Sequence, residues 1–255
     1  MLTRREERLL RTLRERRARE GEGLFLAEGV RAVEDLAASG LAIRLAVASS
    51  SLEDGGRGAA LLAALAARGV PVREAGERAL AELADTGTPQ GILAVAEIPA
   101  ATLDALDPQD GAAVLLVLDA VQDPGNLGTL ARTAEALGAA GVVALPGTVD
   151  PWNPKAVRAA MGSTFRLPVV ASRWEELGPW LRARGIAVLA SEAGGEPLGA
   201  DPPRRAALVL GNEGAGISPA TREWMDRAVG IPLRGRAESL NVAAAGAILL
   251  HELLR

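Results

Sequence analysis

The chain has 255 residues, 49% of them apolar, a formal charge of -4, no cysteine and a single histidine, His251. A disulfide framework and a zinc site of the usual ligand types are thereby excluded. The longest apolar stretches, such as Ala112 to Leu118 and Ala243 to Leu250, fall well short of the roughly 18 residues a membrane span requires. The length suits two domains, and the opening Met1-Leu2-Thr3-Arg4-Arg5-Glu6-Glu7-Arg8 has no apolar core behind its charges, so a cytoplasmic protein without a secretory signal is expected.

In chain order, Arg4 to Arg17, with apolar Leu9, Leu10 and Leu13, predicts a charged helix. Leu24 to Ala27 reads as a short strand and Glu28 to Ala38 as a helix stopped near Gly40. A strand at Ile43 to Ala48, a helix at Ala59 to Arg68, a strand at Val70 to Arg73, a helix at Glu77 to Leu83 and a strand at Ile92 to Glu97 complete a small α/β domain. Pro99 to Gly111 mixes Pro, Asp and Thr with little periodicity and reads as a linker, which places the boundary near residue 107.

Beyond it, Ala113 to Leu118 is a continuous apolar run, typical of a strand buried on both faces, followed by a polar turn and a helix at Leu127 to Leu137. Strands at Val142 to Leu145, Val169-Val170, Ile186 to Ala190 and Ala207 to Leu210 then alternate with helices at Pro154 to Met161 and Trp174 to Arg184, and Leu240 to Leu254 forms the last helix. Such alternation predicts a parallel sheet covered by helices on both faces.

The slightly negative total charge argues weakly against nucleic acid, because phosphate contacts need clustered Lys and Arg. Its distribution argues the other way, since Arg4, Arg5, Arg8, Arg11, Arg14, Arg16, Arg17 and Arg19 stand against only Glu6, Glu7 and Glu15 in the first segment. An Arg- and Ala-rich chain with Lys155 as its sole lysine also fits a GC-rich genome.

Three segments of the second half place small, polar and charged residues just after buried strands, where open α/β sheets gather ligands. The first runs from Leu118-Asp119 through Asp123-Pro124-Gly125-Asn126-Leu127-Gly128 to Arg132-Thr133-Ala134; Asn126 is well typed to cap the following helix, with Arg132 about one and a half turns on. An Asn cap followed by a solvated Arg explains the segment equally well. In the second, Leu210-Gly211-Asn212-Glu213-Gly214-Ala215-Gly216, an apolar strand enters alternating glycines that admit close backbone approach to a ligand, or simply turn the chain. The third, Ile231-Pro232-Leu233-Arg234 to Glu238-Ser239-Leu240-Asn241-Val242-Ala243, brings Ser239 and Asn241 to a helix N-terminus, and ordinary capping accounts for Ser239.

Together and in this order, the segments resemble the three signature motifs of the SpoU (TrmH-type) RNA 2′-O-ribose methyltransferases: Asn-Leu-Gly then Arg-Thr-Ala, Gly-Asn-Glu-Gly, and Ile-Pro then Ser-Leu-Asn-Val-Ala. Asn153-Pro154-Lys155 to Gly162-Ser163 is similar to the family's connecting segment, and Ala27-Glu28-Gly29 with Thr88-Pro89-Gln90-Gly91-Ile92 matches the small RNA-binding domain many members carry. The resemblance implies an α/β chain with an RNA substrate-binding domain over 1–107 and a parallel-sheet, trefoil-knotted, SPOUT-type methyltransferase domain over 108–255. It also implies S-adenosylmethionine as cofactor, no metal, and a homodimer formed through the knotted domain. Carried over residue by residue, it gives Arg132, Asn126, Glu213, Ser239 and Asn241 as catalytic and Leu210, Gly211, Ile231, Leu233 and Leu240 as cofactor-binding. RNA, ribosomal in preference to transfer RNA, is the implied substrate, with Arg4, Arg5, Arg8, Lys155 and Arg158 as its contacts. A base-directed enzyme of the same class, a non-catalytic RNA-binding protein of ribosome assembly, and a nucleotide-binding oxidoreductase are the rival readings; the glycine loop lacks the GxGxxG pattern the last would need.

Overall fold

The computed structural model describes residues 2–52, 56–87, 89–107 and 111–255, which form two compact units. Thr88 of the first-half motif and residues 108–110, beside the expected boundary, lie outside the described residues. The first unit is Met1–Ala100 with Trp152–Phe165, and the second is Ala101–Pro151 with Arg166–Arg255. The division therefore needs more than one cut.

In the first unit, α1 (Arg4–Thr12) opens with a capping box, in which the Thr3 hydroxyl accepts from the Glu6 amide and the Glu6 carboxylate accepts from the Thr3 amide. The single helix expected here is two. Arg19, buried on α2 (Arg16–Glu22), turns back and donates to the carbonyls of Leu13 and Arg14, both at 2.8 Å, which fixes the bend between the helices. The chain continues as β1 (Leu24–Glu28), α3 (Val30–Ala38), β2 (Ile43–Ala48), α4 (Gly56–Ala67), β3 (Val72–Glu74), α5 (Glu77–Leu83) and β4 (Ile92–Glu97). The strands order as β1-β4-β2-β3, with only the β2/β3 pair parallel. Period-two alternation sorts their side chains. Leu26, Leu45, Val47, Leu93 and Val95 meet Leu10, Leu13, Leu80 and Leu83 on one face, while Phe25, Ala46, Ile92 and Ala94 meet Val33, Leu36, Leu61 and Leu65 on the other.

Residues 152–165 join this second face through apolar contact that no local pattern announces: the rings of Trp152 and Phe165 lie 4.7 and 5.6 Å from that of Phe25.

The second unit contains β5 (Ala113–Leu118), α6 (Pro124–Leu137) and β6 (Gly141–Ala144), after which the chain passes through α7 (Pro154–Ala160) of the first unit. It resumes with β7 (Val169–Ala171), α8 (Trp174–Ala183), β8 (Ala187–Glu196), β9 (Arg205–Leu210), α9 (Pro219–Trp224), β10 (Arg227–Val229) and α10 (Val242–Leu254). The sheet is wholly parallel in the order β10-β8-β9-β5-β6-β7. Leu115, Val117, Val143, Val188, Ala207 and Val209 pack with Trp174, Leu177 and Leu181 of α8 on one face, and α6 and α10 pack together over the other. The parallel sheet with helices on both faces is as expected. Helix α9 corresponds to no expected element, and β10 ends at Val229, so Ile231 opens the loop that follows rather than closing the strand.

Candidate active site

From β5 the chain proceeds outward to β6 and β7, then returns to the far side of β9, so strand order reverses between β5 and β9. Ligands of open α/β sheets bind at such a point, beyond the strand C-termini. The two strands end in register, Leu118 against Leu210, and the Asp119 amide donates to the Leu210 carbonyl at 2.8 Å. The loops that follow are thus neighbours by construction.

Asp119 is a buried carboxylate that receives the Ser218 amide at 2.8 Å and the Thr221 hydroxyl at 2.7 Å, and Trp174 Nε1 donates to the same Thr221 oxygen at 2.9 Å. Ala120 takes a left-handed backbone, φ 60°, held as its amide donates to Thr148 Oγ1 and its carbonyl accepts from Asn212 Nδ2 at 2.9 Å. Asn212 Oδ1 accepts from the amides of Gly214 and Ala215, both at 2.9 Å, and Asn212 and Gly216 exchange backbone hydrogen bonds across the turn. A Cβ on Gly211 would lie 2.3 Å from the Gly216 carbonyl carbon, so only glycine fits there.

Asn126 does not cap α6. Asp123 does, its carboxylate accepting from the Asn126 amide at 2.9 Å, with Pro124 in the first turn where its missing N–H costs nothing. The Asn126 side chain is left for other partners. Its Nδ2 donates to Glu213 at 3.0 Å and its Oδ1 accepts from Asn241 Nδ2 at 3.1 Å, while Asn241 Oδ1 caps α10 through the amides of Ala243 and Ala244. The amide orientations are mutually determined: an ionised carboxylate only accepts, so Asn126 must turn Nδ2 to Glu213 and Oδ1 to Asn241.

Glu213 also accepts from the amides of Gln122 and Asp123, each at 3.1 Å. Partial desolvation opposes its charge, but hydrogen bonds from Asn126, Gln122, its own amide and Asp123 outweigh this and hold the carboxyl below the ordinary value. One side chain from each motif is therefore joined in the chain Glu213–Asn126–Asn241.

The remaining expected residues fall in different places. Arg132 is exposed on α6 and opens onto a cleft of about 440 Å³ shared with Thr129, Thr133, Ala247 and His251 of α10. Ser239 is exposed two residues before the Asn241 cap, so the capping role expected for it belongs to Asn241. The Leu210 side chain is buried under α10, where a Cβ on Gly246 would strike it, whereas Ile231 is half-buried and Leu233 and Leu240 are 38% and 37% exposed. Residues 231–240 form no hydrogen bond or ion pair among the described residues.

Arg4, Arg5 and Arg8 are exposed on α1 without ion pairs among the described residues, and Lys155 is exposed on α7. Arg158 is instead engaged by Asp85 at 2.8 Å and by the buried Glu28 at 3.3 Å. The tryptophans are packed or paired: Trp152 on Phe25, Trp174 on Trp224, and Trp180 hydrogen-bonded to Asp104. Asp119, Thr148 and Asn212, which organise the loops, received no role from the sequence. The signal available for Asp119 and Asn212 was their position at the strand ends inside two motifs.

Residues 113–251 match the model of the SpoU rRNA Methylase family. The chain belongs to that family. Residues 8–94 match the MRM3-like substrate binding domain, so both halves of the SpoU chain have counterparts. Among its relatives, the 23S rRNA (guanosine(2553)-2′-O)-methyltransferase RlmP of Bacillus subtilis (strain 168) is 43% identical over 179 residues, which is 69% of this chain and 70% of the relative. The SpoU methyltransferase AviRb of Streptomyces viridochromogenes, solved in complex with the cofactor AdoMet, superposes with a TM-score of 0.88 at 30% identity, covering 99% of this chain and 97% of that one. An AdoMet-bound rRNA methyltransferase from Sinorhizobium meliloti gives a TM-score of 0.86 at 32% identity, covering 99% and 95%.

Proposed function

We propose that this SpoU-family chain transfers a methyl group from S-adenosylmethionine to a ribose 2′-oxygen of RNA, ribosomal RNA in the first instance. The observation that carries the reading is the Glu213–Asn126–Asn241 chain, which ties three motif loops together at the reversal of strand order, with Arg132 on the same helix as Asn126. The AdoMet-bound neighbours and 2′-O-directed relatives support it.

The residues fit the cofactor. Exposed Leu233 and Leu240 with half-buried Ile231 offer apolar surface for an adenine, and the unengaged backbone of residues 231–240 offers donors and acceptors for its edge. Gly211 keeps the neighbouring turn tight. When bound, S-adenosylmethionine supplies an electrophilic methyl on a sulfonium.

The rest falls to the chain. Methylation of a hydroxyl requires the attacking oxygen to be held in line and its weakly acidic proton to be drawn off. Arg132 pairs with the phosphate beside the target ribose and orients the hydroxyl; a guanidinium resists deprotonation, so its contribution is charge and geometry. Asn126 and Glu213 keep the loop ends in register, Asn241 sets the start of α10, and the exposed Ser239, two residues before that cap, is assigned to the bound substrate or cofactor. Arg4, Arg5, Arg8 and Lys155 are the cations we assign to RNA phosphates, with residues 1–107 binding substrate and 108–255 carrying the chemistry; the ion-paired Arg158 is a weaker candidate.

We also place a homodimer on the α6/α10 face, where Ile248 is 39% exposed next to Ala247 of the Arg132 cleft, and assign the enzyme to the cytoplasm on the strength of its 23S rRNA-directed relatives. No helix among the described residues is long and apolar enough to cross a membrane, and no group of residues there gathers as metal ligands. The test is a map of 2′-O-methylated positions in RNA from cells with and without the gene, paired with nucleoside analysis. Loss of one ribose mark is expected; loss of a base mark, or of none, overturns the reading.

A further inference from the structure

The first unit contains a cleft of about 260 Å³ lined by Ser49, Ser51, Glu77, Leu80, Ala81, Pro89 and Gly91. It is smaller than the roughly 300 Å³ at which pockets for drug-sized ligands begin, which suits a single planar ring system. Its polar groups have a definite arrangement. Ser49 is 2% exposed, and its hydroxyl pairs with that of Ser51 at 2.8 Å. Gly91, at φ +79°, passes so close that a Cβ there would stand 3.0 Å from Ser49 Oγ. Glu77 is exposed at the rim and has no hydrogen bond or ion pair among the described residues. Pro89 and Ala81 supply apolar surface, while Leu80, only 1% exposed, lines the cleft from the core.

Resting on the RNA-directed reading above, we propose that this cleft receives one unstacked guanine of the substrate RNA and reads it. A carboxylate at the rim repels phosphate but accepts hydrogen bonds from a base edge, and sequence-specific RNA recognition uses unstacked bases read on such edges. Among the four bases only guanine presents two adjacent N–H donors on its pairing edge, N1–H and the 2-amino group, the pair one carboxylate accepts side by side. The serine hydroxyls donate or accept as the remaining edge requires.

The surrounding charge is suited to delivery. Helix α5, which contributes Glu77, Leu80 and Ala81, packs against α1 through Leu80 and Leu83 on Leu10 and Leu13, and Arg11 bridges to Glu82. Arg4, Arg5 and Arg8, without ion pairs among the described residues, therefore ride on the helix beside the cleft, where phosphates flanking a splayed base need cations.

The test is fluorescence anisotropy of the full chain at low salt with labelled nine-nucleotide RNAs: all uridine, or with a central guanosine, inosine or adenosine. The guanosine oligomer should bind about tenfold tighter than all-uridine, with inosine, which lacks the 2-amino group, intermediate. In E77Q the guanosine preference should fall below about twofold while binding of the all-uridine oligomer is unchanged, and S49A should weaken guanosine binding a few-fold at unaltered melting temperature. Equal binding of all four oligomers, or an undiminished preference in E77Q, overturns the proposal. The variant R132A should retain the preference. Preference without methyl transfer by the wild type would defeat the methyltransferase reading and leave this one standing.

Discussion

In the loops after β5 and β9, the buried Asp119, the half-buried Asn212 and the exposed Glu213 engage the amides of Ser218, Gly214, Ala215, Gln122 and Asp123, so that backbone is fixed before any ligand arrives. Residues 231–240, at the same edge of the sheet, form no hydrogen bond or ion pair among the described residues and present two leucines to solvent. The contrast separates positioning from binding. A frame that must hold reacting groups to within a fraction of an ångström is built from satisfied polar groups, whereas a segment whose backbone and apolar side chains meet a ligand keeps them unengaged until then.

The comparison can be broken most severely at Arg132, which belongs to neither loop. Arg132→Ala should lower turnover by about 100-fold or more while cofactor affinity stays within a few fold, as measured by single-turnover methylation and calorimetry. Unchanged turnover would remove Arg132 from the site. In the fixed loops, Gly211→Ala forces a Cβ onto the Gly216 backbone at 2.3 Å and should cost about 1–3 kcal/mol in denaturant unfolding, with most activity lost.

Glu213→Gln tests the same frame through pH. The carboxyl ionises below its ordinary value of 4.5 in the folded chain, so its stabilisation is complete above that value and disappears as pH falls through the lowered one. The wild type should therefore lose this increment on acidification below about pH 4.5, and the Gln variant should start without it and show a flatter profile. The smallest effect on folding belongs to the open segment. Leu233→Ser should change stability by no more than about 0.5 kcal/mol yet weaken cofactor binding several-fold.

Much of this was legible in the residues. The bounds of β2, β4 and β5 follow directly from apolar runs between turn residues, and those of α5 from a short run of helix formers with its leucines three apart. The break between α1 and α2 did not, because it depends on Arg19 finding two carbonyls behind it. Asparagine caps well, which makes Asn126 the apparent cap, but the aspartate preceding Pro124 takes that place by accepting from the Asn126 amide and leaves the Asn126 side chain for Glu213. That bond spans 87 residues and the one to Asn241 spans 115, separations over which periodicity carries no information. Motif order pointed to the residues; only the fold supplied their connections. Trp152 to Phe165 joined the first unit for a similar reason, since its attachment is aromatic packing on Phe25 rather than a local pattern.

Amide hydrogen exchange with and without S-adenosylmethionine tests the contrast between the fixed and open loops most directly. Without it, the amides of Gln122, Asp123, Gly214, Ala215 and Ser218 should exchange slowly and those of 231–240 at rates near an unstructured chain; with it, protection should appear in 231–240 and change little elsewhere. Protection of 231–240 in the free protein, or a cofactor effect confined to other segments, would contradict the account.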